Sequence, residues 1–329
     1  MRQVPSLKEN AVYFEICLGT SPYNWNTAAT TVTTLSPVQT PCGLAFDSSN
    51  RLYIADGESS VIRRVDLSSG SVTDVAGAAS NAGPGSTATA LDSPADIYID
   101  SSGNIYVLDT NNHRVQKFSS GATAGASGTT IAGTGEGGTN LNQLNYPSGF
   151  AFDSTATNMY ITDTINHRIV QYSTSSTSGT NGVLVAGTGQ LGNSLDTLNF
   201  PIGIAYDTSS GYLYIVNSGT YTIMKWFPGA SSGTVAIGTI GTAAKTSALL
   251  MSPSIVKVDT NGNIYVVDNN RVMVFCQNNP TGIEIAGTTD VAGNAANELN
   301  TPSGLAFDSS MNIYVADTSN DRIQKFARS

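Results

Sequence analysis

The sequence predicts an all-β fold, a six-bladed β-propeller, because of an internal repeat, the strand pattern inside it, and the two chain ends. A segment of about 50 residues recurs six times, which is typical of propellers and solenoids. The copies begin at Pro41, Pro94, Pro147, Pro201, Pro253 and Pro302. Six residues later each copy carries an aspartate, namely Asp47, Asp100, Asp153, Asp207, Asp259 and Asp308. A tyrosine follows in each copy, namely Tyr53, Tyr106, Tyr160, Tyr214, Tyr265 and Tyr314.

Each repeat predicts four short strands. In the second copy we place them at residues 97–99, 105–108, 115–118 and 130–133, and the first strand of the third copy at residues 150–152. Residues 100–104 form the first turn, in which Asp100 accepts local backbone hydrogen bonds and Gly103 or Asn104 supplies a positive φ. No helical period competes with this alternation. Four-stranded units of this length suit blades arranged radially, because each blade buries both faces against its neighbours.

The chain ends predict how the ring closes. The sixth repeat stops after its third strand, at residues 325–329, whereas residues 30–35 form a strand-like segment that precedes the first repeat. We expect this N-terminal segment to complete the last blade, which removes an open sheet edge. The predicted organisation is an N-terminal extension at residues 1–27 and a propeller at residues 28–329.

The loop after the second strand carries a recognisable motif. Residues 109–118 read Asp-Thr-Asn-Asn-His-Arg-Val-Gln-Lys-Phe, residues 163–169 are related, and Ala-Gly-Thr-Gly occurs at 186–189. These segments resemble the NHL repeat, and the resemblance extends over about residues 28–326. It implies a six-bladed propeller of four-stranded blades. The family includes RNA-binding domains, bacterial sensor domains and the peptide-amidating lyase, so it implies no single function. The Ser, Thr and Gly-rich blades look most like secreted, propeller-only members from invertebrates.

Composition narrows the class of partner. The net charge is −9, from 15 Lys and Arg against 24 Asp and Glu, which argues against nucleic acid. Charged residues make up 12% of the chain, against roughly 25% in typical soluble domains, and we expect an extracellular, secreted protein. No signal peptide is visible at the N-terminus, so either a signal has been removed or the protein is not secreted. No apolar stretch is long enough to insert into a membrane.

The three cysteines allow one internal disulfide. Cys17 precedes the strand proposed to complete blade six, and Cys276 follows the third strand of blade five, so both map to the same end of neighbouring blades. We predict a Cys17–Cys276 disulfide with Cys42 as a free, buried thiol. Three unlinked thiols in a reducing compartment are the alternative.

The histidines lie in the loops of blades two and three. His113 and His167 could be metal ligands or bases, or they could be spacers in a turn that an Asp–Arg pair braces, and we favour turn bracing. Blade one departs from the motif, with Val61 where the arginine would stand. Two histidines cannot reproduce the several-histidine metal site of the amidating lyase. The six repeated aspartates are accounted for by hydrogen bonding within their turns, so they do not indicate a metal site. We therefore expect no metal or other cofactor, and no residue pattern supports calcium binding.

Departures from the repeat suggest a site, because structural demands are nearly equal in all blades. Four residues after the proline, Ala is replaced by Tyr98 in blade two and by Lys257 in blade five; two residues after it, blade two carries Asp96 where most copies have Gly. These blades lie opposite each other in a six-fold ring. We therefore predict Asp96, Tyr98 and Lys257 as ligand contacts around one channel, against the alternative of a solvated charge pair that fills the axis.

The residues directly after the prolines predict the rim of the channel. Ser148, Ser254 and Ser303 are small and adaptable, and we include them among the ligand contacts. No candidate base with a nearby partner is visible, so no catalytic residue is predicted.

We expect a monomeric, non-catalytic recognition module for a protein, peptide or glycan. A calcium-type metal-assisted hydrolase or lactonase-like enzyme is the alternative, and a structural or adhesive module is the third.

Overall fold

The computed structural model describes residues 25–26, 28–32, 38–79 and 83–328. Six antiparallel sheets of four strands each form the blades of a propeller, with the first strand of each blade innermost. The predicted fold class is confirmed. Short 3-10 helices follow the second strand in blades two, three, four and six, at Thr110–Asn112, Thr164–Asn166, Ser218–Thr220 and Thr318–Asn320. Among the described residues, no helix is long and apolar enough to cross a membrane.

The strands of the first three blades follow the predicted order. Blade one consists of β2 (Pro41–Phe46), β3 (Leu52–Asp56), β4 (Val61–Val65) and β5 (Val72–Gly77). Blade two consists of β6 (Pro94–Ile99), β7 (Ile105–Asp109), β8 (Arg114–Phe118) and β9 (Thr129–Gly133). Blade three consists of β10 (Phe150–Phe152), β11 (Asn158–Asp163), β12 (Arg168–Ser173) and β13 (Val183–Ala186).

The remaining blades close the ring. Blade four consists of β14 (Pro201–Tyr206), β15 (Leu213–Asn217), β16 (Thr222–Trp226) and β17 (Thr234–Ile237). Blade five consists of β18 (Pro253–Val258), β19 (Ile264–Asp268), β20 (Arg271–Phe275) and β21 (Gly282–Gly287). Blade six consists of β22 (Gly304–Phe307), β23 (Ile313–Asp317), β24 (Arg322–Phe326) and the N-terminal β1 (Thr30–Thr31).

The ring closes as the chain ends predict. β1 pairs antiparallel with β24, with Thr30 opposite Lys325 and Thr31 opposite Gln324. The buried Trp25 reinforces this seam, since its indole N–H donates to the carbonyl of Met311 at 3.0 Å. Residues 33–35 of the predicted closing strand lie outside the described residues, as do residues 1–24 of the N-terminal extension.

The apolar core lies between neighbouring blades. One cluster joins Tyr53 and Ile62 of blade one to Val107 and Phe118 of blade two, and similar clusters recur at other blade junctions. Burying apolar side chains on both faces of every blade supplies most of the driving force for closing the ring.

The repeated aspartate and tyrosine form one hydrogen-bonded unit. In blade two, Asp100 accepts the backbone N–H groups of Ser102 and Asn104, both at 2.9 Å, and the hydroxyl of Tyr106 donates to it at 3.2 Å. The same tyrosine-to-aspartate bond occurs in blades one, five and six. Although partial burial raises it, hydrogen bonds from Asn104 and its neighbours lower the pKa of Asp100 overall. These aspartates serve the turns.

Candidate functional site

Asp96, Tyr98 and Lys257 lie together in the lining of one cavity on the propeller axis. The cavity has a volume of about 180 Å³ and is bounded by the inner strands of blades two to five. β6 contributes Asp96 and Tyr98, and β18 contributes Lys257. The structure therefore brings together the three residues that break the repeat, and their role in ligand binding stays a prediction.

Glycine at the second position after the proline is required where neighbouring inner strands nearly touch. A Cβ on Gly149 would lie 2.3 Å from the carbonyl oxygen of Ile202, and one on Gly304 would lie 1.9 Å from that of Cys42. Blades two and five instead carry Asp96 and Ile255 at this position, so a side chain is accommodated there.

Asp96 is held by backbone groups. Its Oδ1 accepts the N–H of Ile97 at 2.9 Å, and its Oδ2 accepts the N–H of Phe150 from the next blade at 3.4 Å. Desolvation by burial raises the pKa of Asp96, and the positive charge of Lys257 lowers it only in part. A carboxyl group with a raised pKa in a cavity is typical of functional sites.

The two charges of the cavity do not neutralise each other by contact. Within the described parts of the chain, the Lys257 ammonium group lies more than 4.0 Å from every carboxylate, and no hydrogen bond of its side chain to these residues is present. An anionic group and a cationic group thus line one cavity without an ion pair between them. The predicted alternative of a solvated charge pair that fills the axis needs no direct contact, so it stays an alternative.

Aromatic rings form one wall of the cavity. Tyr98 stacks on Phe152 of the next blade with centroids 3.9 Å apart, and Tyr206 stacks on Tyr160 at 5.5 Å. Phe150 lies beside Phe152 at 5.2 Å. Sequence reasoning missed Phe150, Phe152 and Tyr206. Phe152 and Tyr206 stand at the fifth position after the proline, which is aromatic in four blades, so they gave no signal as departures. Phe150 stands at the third position, which is apolar in every blade, so it differs from the other copies only in being aromatic.

The three serines lie nearer the starts of the inner strands and do not line this cavity. Ser148 accepts a hydrogen bond from the hydroxyl of Thr164 at 2.9 Å, and Ser254 donates to the carbonyl of Pro302 in the next blade at 3.2 Å. Ser303 lies 2.6 Å from the hydroxyl of Thr318. Their hydroxyl groups support the blade junctions, and ligand contact by them stays a prediction.

The Asp–Arg pairs brace the loops. In blade two, Arg114 Nε donates to Asp109 Oδ2 at 2.7 Å, and the rest of its guanidinium donates to the carbonyls of Ser86, Thr87 and Ala90. Equivalent pairs occur in blades three, five and six. The interpretation of these loops as braced turns fits these contacts.

Blade one corrects the expectation attached to Val61. Arg63, two residues further along β4, pairs with Asp56 at 2.8 Å and also with Asp74 at 2.9 Å. The pairing survives because residues two apart on a strand point to the same face. Blade four has Asn217 and Thr222 at the paired positions, and Thr222 instead lies 2.8 Å from the hydroxyl of Thr220.

The histidines join one blade to the next. His113 and His167 adopt left-handed backbone conformations, and their Nδ1 atoms accept the N–H groups of Tyr146 at 3.1 Å and Phe200 at 3.2 Å. The corresponding acceptors are Ser60, Asn270 and Asp321 in blades one, five and six. Hydrogen bonding across blades explains why the loop residue takes different acceptor types.

The aromatic rings before two of the prolines are half exposed. Tyr146 is 48% exposed and Phe200 is 40% exposed, and each ring packs edge to face against the preceding histidine, with centroids 4.7 Å apart. The structure shows both packing against the histidine and an exposed surface.

The states of two cysteines agree with the predicted disulfide pairing. Cys42 is a free thiol, partly buried, and desolvation by burial raises its pKa. Cys276 is disulfide-bonded. Cys17 lies outside the described residues, so the Cys17–Cys276 pair stays a prediction.

The cavity is a poor match for a divalent cation, which the lactonase alternative would require. In the described ranges, no three side chains of His, Cys, Asp or Glu converge. Calcium takes six to eight oxygen ligands, whereas the cavity lining contains a single carboxylate, Asp96, which faces the positive charge of Lys257. No step of a reaction is therefore assigned to a metal here.

Comparisons with known proteins agree with the fold. The SMP-30/gluconolactonase/LRE-like region matches residues 6–229, and the NHL repeat matches residues 299–326. No curated protein sequence matches the chain.

Several solved structures are similar. A structural genomics protein of unknown function from Bacteroides thetaiotaomicron has a TM-score of 0.69 at 17% identity, covering 92% of this chain and 73% of that one. A gluconolactonase from Xanthomonas campestris has a TM-score of 0.61 at 12% identity, covering 94% and 98%. A chain in a nidogen/laminin complex has a TM-score of 0.55 at 23% identity, covering 75% and 80%. At these identities the likeness concerns the fold alone.

The family match covers more than half of the chain and agrees with the blades seen in the structure. The chain is a β-propeller of NHL-type repeats and belongs to the SMP-30/gluconolactonase/LRE-like family.

Proposed function

We propose that this protein is a non-catalytic recognition module whose axial cavity holds a small polar ligand or a loop of a protein, peptide or glycan partner. The observation that carries the proposal is the separation of Asp96 from Lys257 inside one cavity with an aromatic wall. Such a mixture of apolar surface and a few convergent polar groups is typical of ligand sites. A monomer is sufficient, because one chain supplies every group of the cavity.

The cavity chemistry favours binding over group transfer. Its lining contains no His, Cys, Ser or Thr, so a nucleophile and base pair of the Ser–His or Cys–His type is not present there. The disulfide at Cys276 supports an oxidising compartment and hence an extracellular location.

A hydrolase is the second candidate. It is supported by the family match and by the raised pKa of Asp96, which makes this carboxylate a stronger base than an ordinary aspartate. A lactone is the substrate class that this candidate implies. A metal-assisted version implies a metal-specific rise in the melting temperature of EDTA-treated protein when calcium or zinc is added.

The test compares binding and turnover in the same variants. Melting temperatures are measured for the purified protein and for an Asp96→Asn, Lys257→Met double variant, with sugars, amino acids, amines, carboxylates and lactones added. Lactone hydrolysis is followed by acid release. An Asp66→Asn, Lys245→Met double variant is the matched control, since both residues lie on the outer surface and outside the cavity.

The two candidates predict different outcomes. A recognition module gives a ligand-dependent rise in melting temperature that is lost in the cavity variant, kept in the control, and accompanied by no hydrolysis. Hydrolysis that the Asp96→Asn change abolishes would overturn the proposal in favour of the enzyme. A ligand shift that survives in the cavity variant would place the binding surface elsewhere.

A further inference from the structure

We infer that the axial cavity binds a small zwitterion, such as a free amino acid, with its ammonium group at Asp96 and its carboxylate at Lys257. This inference rests on the proposed function, because it names the class of ligand that the same cavity would take.

The charges of the cavity select a ligand that carries both signs. Asp96 and Lys257 line one cavity without an ion pair between them. A cationic ligand would be attracted to Asp96 and repelled by Lys257. An anionic ligand would be attracted to Lys257 and repelled by Asp96. Since charge interactions strengthen in a partly desolvated site, a ligand with two opposite charges gains from both groups.

The aromatic wall suits the cationic end of such a ligand. Tyr98 and Phe152 lie one above the other at 3.9 Å, and both line the cavity near the inner strand that carries Asp96. Each ring covers one face of the other, so an ammonium group can approach only an outer face, where the ring attracts it and a nearby carboxylate adds to the attraction.

The remaining lining argues against a sugar. Besides the two charged groups, only the phenols of Tyr98 and Tyr206 offer polar side-chain atoms, and the other lining residues are apolar, namely Ile97, Phe150, Ala151, Phe152, Ile204, Ala205 and Val258. A sugar ring brings many hydroxyl groups, and these side chains offer few partners for them, so each hydroxyl group left without a partner costs free energy.

The size of the cavity limits the ligand. Its volume of about 180 Å³ is below the roughly 300–1,000 Å³ of sites for drug-sized molecules. A peptide of several residues would also bring amide groups for which the lining has few partners. A single small zwitterion is small enough for the cavity and brings no peptide amide groups that need partners.

The experiment uses isothermal titration calorimetry on the full chain with ligands of matched length. Leucine, 4-aminobutanoate and 6-aminohexanoate are the zwitterions; hexylamine retains only the cation and hexanoate only the anion, and glucose and gluconolactone are uncharged. We expect at least one zwitterion to bind about tenfold more tightly than both single-charge analogues, since it makes one more charge-assisted hydrogen bond than either of them.

The variants assign each end of the ligand. Asp96→Asn should lower zwitterion affinity about tenfold and leave hexanoate unchanged, whereas Lys257→Met should lower it similarly and leave hexylamine unchanged. Asp66→Asn and Lys245→Met should change neither. Melting curves of every variant show that the fold is retained.

Each other outcome contradicts a defined part of the account. If hexylamine or hexanoate binds as tightly as the zwitterions, or if the two cavity variants keep full zwitterion affinity, the inference is wrong. If glucose or gluconolactone binds instead and Asp96→Asn weakens it, the ligand class is wrong while the cavity remains the binding site. If none of these compounds binds at the highest soluble concentration, the inference is wrong, and the proposed function then depends on a larger partner that the melting-temperature panel tests separately.

Discussion

Two regions of this propeller use polar residues in opposite ways. In the loops at the starts of the inner strands, polar residues recur from blade to blade and have partners, as Arg114 has in Asp109 and His167 has in Phe200. In the axial cavity, Asp96 and Lys257 occur once each and have no ion pair with each other. Repeated polar residues thus maintain the ring, whereas the unrepeated charges have no such role in the blade junctions, which is why we propose them as ligand contacts.

The largest effect should come from removing a buried arginine of the repeated region. Arg114→Met leaves Asp109 charged and buried and removes bonds to three loop carbonyls, so we expect the free energy of unfolding to fall by about 3–5 kcal/mol. Urea denaturation measures the change. Lys257→Met should lower it by less than Arg114→Met does, because Lys257 makes no ion pair with a carboxylate of the described residues and acts on Asp96 only through its charge at a longer distance.

Blade four sharpens this expectation, because it has Asn217 and Thr222 where other blades have the ion pair. An Asp109→Asn, Arg114→Thr double variant copies blade four into blade two and leaves no unpaired charge. We expect it to be more stable than Arg114→Met. Equal losses in the Arg114→Met and Lys257→Met variants would break the comparison between the two regions.

The second effect concerns the glycines of the inner strands. Gly149→Ala places a methyl group 2.3 Å from the carbonyl oxygen of Ile202, so we expect a loss of roughly 1–3 kcal/mol in the free energy of unfolding. Asp96→Ala, at the same position of blade two, should be tolerated better because a side chain already fits there. Chemical denaturation measures the free energy of unfolding of both variants. An unchanged free energy of unfolding in Gly149→Ala would contradict the close approach of blades three and four.

The third effect is a gain in the stability of the protein when Asp96 is replaced by a neutral residue. Because burial raises the pKa of Asp96, the folded protein holds that proton more strongly than the unfolded chain does. Ionising Asp96 therefore costs stability above its raised pKa, and the cost disappears as pH falls below the ordinary value of 3.8. Asp96→Asn should melt at a higher temperature than the native protein at pH 7, and the difference should shrink towards pH 4. A less stable variant at pH 7 would show that the carboxylate stabilises the fold.

The smallest effect is the pH response of the blade junctions. Desolvation lowers the pKa of His167, so the folded protein favours the neutral imidazole, whose Nδ1 accepts the N–H of Phe200. Its contribution to stability is full above the ordinary value of 6.5 and is lost as pH falls below it.

His167→Asn is the matched variant, since Asn270 fills the same role in blade five without titrating. It should melt like the native protein at pH 7.5 and lose less stability between pH 7 and 5. An identical pH response in the two proteins would contradict the role of His167 as a neutral acceptor.

The sequence predicted most of the fold, because the features that build the blades recur in every copy. The turn aspartates, the strand order and the pairing of β1 with β24 follow from spacing alone. The role of Arg63 as the partner of Asp56 was missed, because a search at the fixed motif position finds Val61 instead. A residue two positions further along a strand points to the same face and can make the same pair. The bond of His167 to Phe200 could not be seen, because a backbone N–H group has no signature in the sequence.

The candidate site was predicted in part. Asp96, Tyr98 and Lys257 could be placed near each other because six-fold geometry sets blades two and five opposite. The gap between the charges depends on side-chain conformation, which the sequence does not give. The aromatic wall was missed because Phe152 follows a pattern shared by several blades.

The central claim is that the unrepeated charges of the cavity receive a ligand. The most direct measurement is the pKa of the Asp96 carboxyl group by carbon-13 NMR, with the Asp96→Asn variant to assign its signal, in free protein and in protein saturated with the zwitterion that binds most tightly. We predict a pKa above 3.8 in the free protein that falls on binding, because a bound ammonium group stabilises the carboxylate. A pKa that is unchanged at saturation would contradict the claim, since the ligand would then lie away from Asp96.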